Sequence, residues 1–180
     1  MSIFSVISCT SVNTTGPTVV SCHSSVRIQK YITIANSISL KGITHLKDTL
    51  LAGLHVAKKI KINRERTIGF MGEKGRVYGT PSMVEDIEYT CHELIQSHLD
   101  VNENSVGTHV SVDHLGATLE GDIVEIKVTV VAIDGRTVSF EAEVKDTLEV
   151  VGRGKHNRFI VDINKTFERL NAKHEKLFGK

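Results

Sequence analysis

The amino-acid sequence predicts an α+β fold in which an antiparallel β-sheet is wrapped around a central α-helix. Two observations carry this. A segment opening at Thr80-Pro81 places Val84, Ile87, Cys91, Leu94 and Ile95 at three- and four-residue spacing, which lines one face of a helix with apolar groups. Beyond Leu99 the apolar period drops to two and continues through four strand-like runs, so the chain changes from helix to sheet there.

Each element follows from its own residues. Leu54, Val56, Ile60 and Ile62 alternate loosely and predict a first strand, followed by the polar stretch 63–66 and a glycine-containing loop from Gly69 to Gly79. Thr80 suits a helix N-cap and Pro81 the first helical position, where its missing N–H costs nothing. The helix is expected to reach about Leu99. Val106, Thr108, Val110, Val112 and His114 fall on one face of the next strand. Ile123 to Ile133 is a β-branched run dense enough for a central strand. Asp134-Gly135 is a strong hairpin signal leading to Val138, Phe140, Ala142 and Val144. A fourth strand, about Glu149 to Val161, completes a meander, and Asn164 is placed to cap a last helix whose Phe167, Leu170 and Leu177 are expected to cover a sheet edge or end. A sheet that curls to bury the apolar face of one helix is the hotdog arrangement, which strand signals alone do not choose over other α+β layers.

Charge divides the chain. Its 180 residues carry 22 Lys+Arg and 21 Asp+Glu, but every acid lies at or beyond Asp48. Residues 1 to 46 hold nine Ser, six Thr, no acid and three basic residues, a composition partly like that of an organellar transit peptide and equally that of a poorly ordered extension. Val26, Ile28, Ile32, Ile34, Ile38 and Leu40 alternate there as an added strand would. The domain proper is expected over 47–180. Its balance is slightly acidic, with no basic stripe to displace counterions, which argues against a nucleic-acid partner. No apolar run is long enough to span a membrane. Cys9, Cys22 and Cys91 form no C-x-x-C pair and are odd in number, so a reducing compartment, the cytoplasm, is the simplest location. A mitochondrial one follows if residues 1–46 act as a transit peptide.

Three residues stand out chemically. Glu88 falls on the otherwise apolar helix face, where a carboxylate must take a proton or find a donor. His114 ends a strand, and an imidazole is the natural general base or acid near neutrality. Thr80 reads first as a cap, yet a hydroxyl there sits at the positive end of the helix dipole, where an oxyanion is favoured. Gly107 lets a ligand approach the backbone or simply marks a turn. Arg153, Lys155, His156 and Arg158 form the concentrated positive feature of the domain, either a solvated strand edge or a landing site for phosphate groups. His92 and His98, six apart, do not share a helix face as metal ligands would.

These residues belong to longer stretches. Val77-Tyr-Gly-Thr-Pro-Ser-Met-Val-Glu-Asp-Ile-Glu88, Ser105-Val-Gly-Thr-His-Val-Ser-Val-Asp-His114 and Gly152-Arg-Gly-Lys-His-Asn-Arg158 resemble the hotdog thioesterases of the fluoroacetyl-CoA thioesterase type over about residues 50 to 178. The resemblance implies catalytic roles for Thr80, Glu88 and His114 and substrate-binding roles for Gly107 and Arg158. It also implies a short acyl-CoA substrate, no cofactor beyond the coenzyme A of the substrate itself, and a homodimer with sites near the interface. One departure is the polar connection Met71-Gly-Glu-Lys-Gly-Arg76, which stands where the fluoroacetyl-selective enzyme has an aromatic-rich lid, so selectivity for fluoroacetate is not implied. A non-catalytic acyl-CoA binding or sensing module is the alternative, and hydration of an enoyl thioester a third and weaker reading, since no separate Asp and His hydratase pattern is visible.

Overall fold

The computed structural model describes residues 49–179; the expectations placed on residues 1–46 lie outside them. The chain runs through β1 (His55–Lys61), β2 (Thr67–Ile68), β3 (Val77–Tyr78), α1 (Thr80–Gln96), β4 (Glu103–His114), β5 (Ile123–Asp134), β6 (Thr137–Lys145), β7 (Val150–Asp162) and α2 (Ile163–Phe178). Five strands form one antiparallel sheet in the order β1-β5-β6-β7-β4. Alternation puts Val124, Ile126, Val128 and Val130 of β5 and Val138, Phe140, Ala142 and Val144 of β6 on one buried face. Against it α1 lays Met83, Ile87, Cys91, Leu94 and Ile95. This is the predicted fold. Among the described residues no helix is long and apolar enough to cross a membrane.

Several local expectations are corrected. The segment Gly69 to Gly79 is not only loop: it closes a small hairpin in which Thr67 pairs with Tyr78 and Ile68 with Val77. Thr80 is not the cap of α1. Gly79 occupies that position without a side-chain bond, and its carbonyl accepts from the Met83 N–H at 3.0 Å. Helix α1 ends at Gln96, and tighter turns carry the chain on to the buried Leu99. The β5–β6 turn lies one residue later than Asp134-Gly135, because Asp134 already pairs with Thr137. Gly135 has φ of 56° there, a conformation that costs a side-chain-bearing residue energy. Asp162, not Asn164, caps α2, accepting from the Lys165 N–H at 3.0 Å. Phe167, Leu170 and Leu177 cover no edge; each is more than half exposed.

The largest correction concerns β4. Gly107 pairs with Arg158 and His109 with Asn157, which leaves Thr108 without a cross-strand partner. One extra residue makes a β-bulge. Faces therefore exchange at Thr108, and Val106 does not share a face with Val112 and His114 as its spacing had indicated.

The start of α1 is anchored by a buried carboxylate that the apolar pattern did not anticipate. Asp86 is 3% exposed; it accepts from the Tyr78 hydroxyl at 2.7 Å and from Arg66 Nε and Nη2 at 3.2 and 3.3 Å. Burial first, and then the neighbouring Asp86, push the Tyr78 hydroxyl far above its ordinary titration range, so it remains a donor. The network ties the β2–β3 hairpin to the first turns of α1. Replacing Asp86 by Ala strands the Arg66 guanidinium and the Tyr78 hydroxyl and is expected to cost about 3 kcal/mol. Urea unfolding measures this, and an unchanged midpoint for Asp86→Ala would show that the network does not hold the helix start.

Candidate active site

Because Gly79 takes the cap position, the Thr80 hydroxyl is free for another partner. Its Oγ1 lies 2.8 Å from His114 Nδ1. The imidazole is held from a second side by Tyr78, edge to face with ring centroids 6.3 Å apart. Thr80 is exposed and His114 half-buried, so a ligand can reach both. The first N–H groups of α1 have no intrahelical partner and carry the positive end of the helix dipole. A hydroxyl bonded to an imidazole can lose its proton, and the N–H donors beside it can stabilise negative charge on a nearby oxygen.

Glu88 belongs to a different part of the protomer. Eight residues along α1 place it about 12 Å from Thr80 at helical rise. Its carboxylate lies 3.7 Å from His156 Nε2, with the side chain 41% exposed. Within one chain Glu88 therefore stands apart from the Thr80–His114 pair. Instead Glu88, Glu85, Tyr89, His92, Ser105, Gly107 and Arg158 line a cavity of about 450 Å³. Gly107 is there for a steric reason. A Cβ at this position would stand 2.6 Å from Glu88 Oε1 and 3.1 Å from His156 Cε1.

Gly107 and His114 are seven residues apart, an odd interval that puts two residues on opposite faces of a regular strand. The bulge at Thr108 reverses this. Gly107 faces Glu88 and His114 faces Thr80, so both look toward α1.

The basic cluster of β7 divides between two faces. Arg153 and Lys155 point outward, with Arg153 Nη2 3.3 Å from Glu143. His156 and Arg158 point inward, at 0% and 7% exposure. Arg158 is thus a buried brace and not a surface landing site for phosphate. Its Nε donates to Ser105 Oγ at 2.9 Å and its Nη2 to the Ser105 carbonyl at 2.8 Å. The alternation Gly152, Gly154, His156, Arg158, Ile160 is legible in the sequence as one inward face, which separates His156 and Arg158 from the outward Arg153 and Lys155. Ser105 on β4 carries no signal of its own in the sequence; its pairing with Ile160 beside Arg158 identifies it. Burial pushes the Cys91 thiol up to about 12, which leaves no thiolate nucleophile near Glu88. Among the described residues no group of three or more His, Cys, Asp or Glu is placed to hold a metal ion.

Comparison with known proteins assigns the chain to a family. A family model described as fluoroacetyl-CoA-specific thioesterase matches residues 62–164. The fluoroacetyl-CoA thioesterase of Streptantibioticus cattleyicolor is 30% identical over 97 residues, which make up 54% of this chain and 67% of that one. Among solved structures, a fluoroacetyl-CoA thioesterase superposes with a TM-score of 0.64 at 22% identity, covering 70% of this chain and 98% of its own. A thioesterase superfamily member from Thermus thermophilus gives 0.65 at 24% identity, covering 72% and 98%. A hot-dog-like protein from Thermanaerovibrio acidaminovorans gives 0.64 at 21%, covering 68% and 91%. The superpositions establish the hotdog fold, and the family match spans more than half of the chain. With Thr80, Glu88, Gly107, His114 and Arg158 all inside that match, the chain belongs to the fluoroacetyl-CoA-specific thioesterase family of thioester hydrolases.

Proposed function

We propose that the protein hydrolyses a short acyl-CoA thioester to the free acid and coenzyme A, using Thr80, His114 and Glu88 across a two-fold dimer. The observation that carries this reading is the 2.8 Å bond between Thr80 Oγ1 and His114 Nδ1 at the N-terminal end of α1. His114 takes the proton of the Thr80 hydroxyl, or of a water held by it, as that oxygen attacks the thioester carbonyl. The oxyanion is stabilised by first-turn N–H groups of α1. When the C–S bond breaks, the proton on His114 passes to the departing sulfur. Where Thr80 is the nucleophile, a water deprotonated by His114 then attacks the acyl-Thr80 ester, the proton returns to the Thr80 oxygen and the free acid leaves. Gly107 gives the acyl-CoA room to approach the backbone, and Arg158 supports the cavity wall from behind. No cofactor is needed, since coenzyme A enters with the substrate.

A dimer resolves the separation of Glu88 from Thr80. Strand β4 is an edge of the sheet, and residues 106–111 are all exposed along it. A long bare edge of this kind invites pairing. Two β4 edges paired about a two-fold axis through Ser111 set Gly107 of one copy opposite His114 of the other, because with Thr108 bulged out each stands three paired positions from Ser111. Glu88, beside Gly107, is then supplied to the Thr80–His114 pair of the second copy. The reading places the enzyme in the cytoplasm, or in mitochondria should residues 1–46 serve as a transit peptide.

Thiol release from acyl-CoAs of graded length tests the activity: the wild type is expected to release coenzyme A from at least one, and Thr80→Ala or His114→Ala to lower kcat about 100-fold or more. A folded His114→Ala protein at the wild-type rate removes His114 from the mechanism, and acyl-CoA binding without turnover by the wild type replaces the hydrolase with a binding module. Mixing inactive Thr80→Ala and Glu88→Ala proteins after subunit exchange tests the shared site. Half the dimers are then mixed and each keeps one complete site, so activity should return to about a quarter of wild type; no recovery means that Glu88 serves its own chain. Gly107→Ala is expected to displace the flexible Glu88 side chain, lowering kcat about tenfold or more with little change in the unfolding midpoint. Unaltered turnover in that variant would show that the position of Glu88 does not matter.

A further inference from the structure

We propose that His156 is a positioning residue of this site: its imidazole clips the β4 bulge through the His109 carbonyl and holds Arg158 behind Glu88, so that Gly107 and Glu88 keep their facing. The proposal rests on the acyl-CoA hydrolase reading for its activity, though its geometry stands apart from it. His156 is completely buried, and a buried ring nitrogen without a partner is costly. Both nitrogens are partnered. Nδ1 lies 2.7 Å from the His109 carbonyl oxygen, and Nε2 lies 3.1 Å from Arg158 Nη1. A guanidinium only donates, so Nε2 presents its lone pair and Nδ1 carries the hydrogen that reaches His109.

The two bonds end on the same piece of β4. His109 directly follows the unpaired Thr108, and the other N–H groups of Arg158 hold Ser105, two residues before Gly107. Thr108 closes the bulge from outside, its hydroxyl donating to the Asn157 carbonyl at 3.2 Å. The imidazole also fills the space beneath Gly107, with Cε1 3.1 Å from where a Cβ would be. An apolar ring of the same size would fill that space but leave the His109 carbonyl and Arg158 Nη1 without these bonds.

Proton uptake at Nε2 would break the bond from Arg158. The charged and titratable groups facing the ring are Arg158 on its own strand, Glu88 on α1 and His109 on β4. Burial, assisted by Arg158, holds His156 below its ordinary value of 6.5 against the opposing His109 carbonyl and Glu88. The unfolded chain therefore binds this proton first. Stability from a neutral His156 is complete above pH 6.5 and falls as the pH drops toward the lowered folded value.

His156→Phe keeps a planar ring, slightly larger, and loses both bonds, whereas His156→Asn offers an amide N–H in place of Nδ1–H. The Phe variant is expected to lose about 10- to 100-fold in kcat with less than about a threefold change in KM, and His156→Asn to recover to within about fivefold of wild type. Hydrogen exchange at residues 105–109 should quicken in the Phe variant and return toward wild type in the Asn variant, and the decline in stability below pH 6.5 should be weaker in both. Wild-type kcat and exchange in a folded His156→Phe protein overturn the proposal. So does nitrogen NMR of the wild type at pH 7 if the ring is charged or carries its hydrogen on Nε2, which decides the matter even where the variants fail to fold. A wild type that hydrolyses no acyl-CoA sinks the hydrolase reading alone, because exchange and tautomer still judge His156.

Discussion

Thr108 has no partner across the β4–β7 ladder, and the facing of every site residue on β4 follows from that one surplus residue. In an unbroken strand the odd interval between Gly107 and His114 would turn one of them away from α1. With the bulge, Gly107 admits Glu88 at close approach while His114 reaches the Thr80 hydroxyl. A bulge disturbs the hydrogen-bond ladder around it, and side chains bond the backbone on both sides of it here. Thr108 donates outward to Asn157, and His156 donates from within to His109. Removing those bonds would favour a regular register, in which the wrong side chain meets the helix.

Helix α1 organises the other wall. Its start is held by Asp86, Tyr78 and Arg66, and Gly79 takes the cap. The hydroxyl of Thr80, relieved of capping, is left at the positive end of the dipole with an imidazole as its partner. Two turns further on, Glu88 projects over Gly107 beside the cavity. A single protomer thus holds the hydroxyl and imidazole at one place and the carboxylate at another. In the proposed dimer the exposed β4 edge between them is where a two-fold partner joins them.

Arg158 shows how the same charge acquires a different role once its environment is known. On a solvated edge a guanidinium next to Lys155 would attract phosphate. Buried against Ser105 and His156, its N–H groups are spent on the protein, and burial lowers its otherwise very high titration point without making it an acceptor. Its place in the proposed site is therefore as part of the cavity wall. The outward residues Arg153 and Lys155 are the ones that retain contact with solvent.

Much of this was legible in the chain. The three-four spacing of Ile87, Cys91, Leu94 and Ile95 and the two-residue spacing within β5 and β6 are local signals, set by helical and extended geometry, and they determined α1 and the long strands, whereas the hotdog wrapping was chosen over other α+β layers by the motif stretches. The motif stretches likewise brought Thr80, Glu88, Gly107, His114 and Arg158 forward as a set. What they left open was orientation. Whether Val106 or Gly107 faces the helix depends on the register of β4 against β7, and whether Arg158 is a brace or a surface cation depends on the parity of β7 against the core. The cap of α1, the burial of Asp86 and the separation of Glu88 from Thr80 depend on neighbours distant in sequence. A bulge is one residue without a partner, and a residue's lack of a partner is a property of two strands together, so only the tertiary structure decided it.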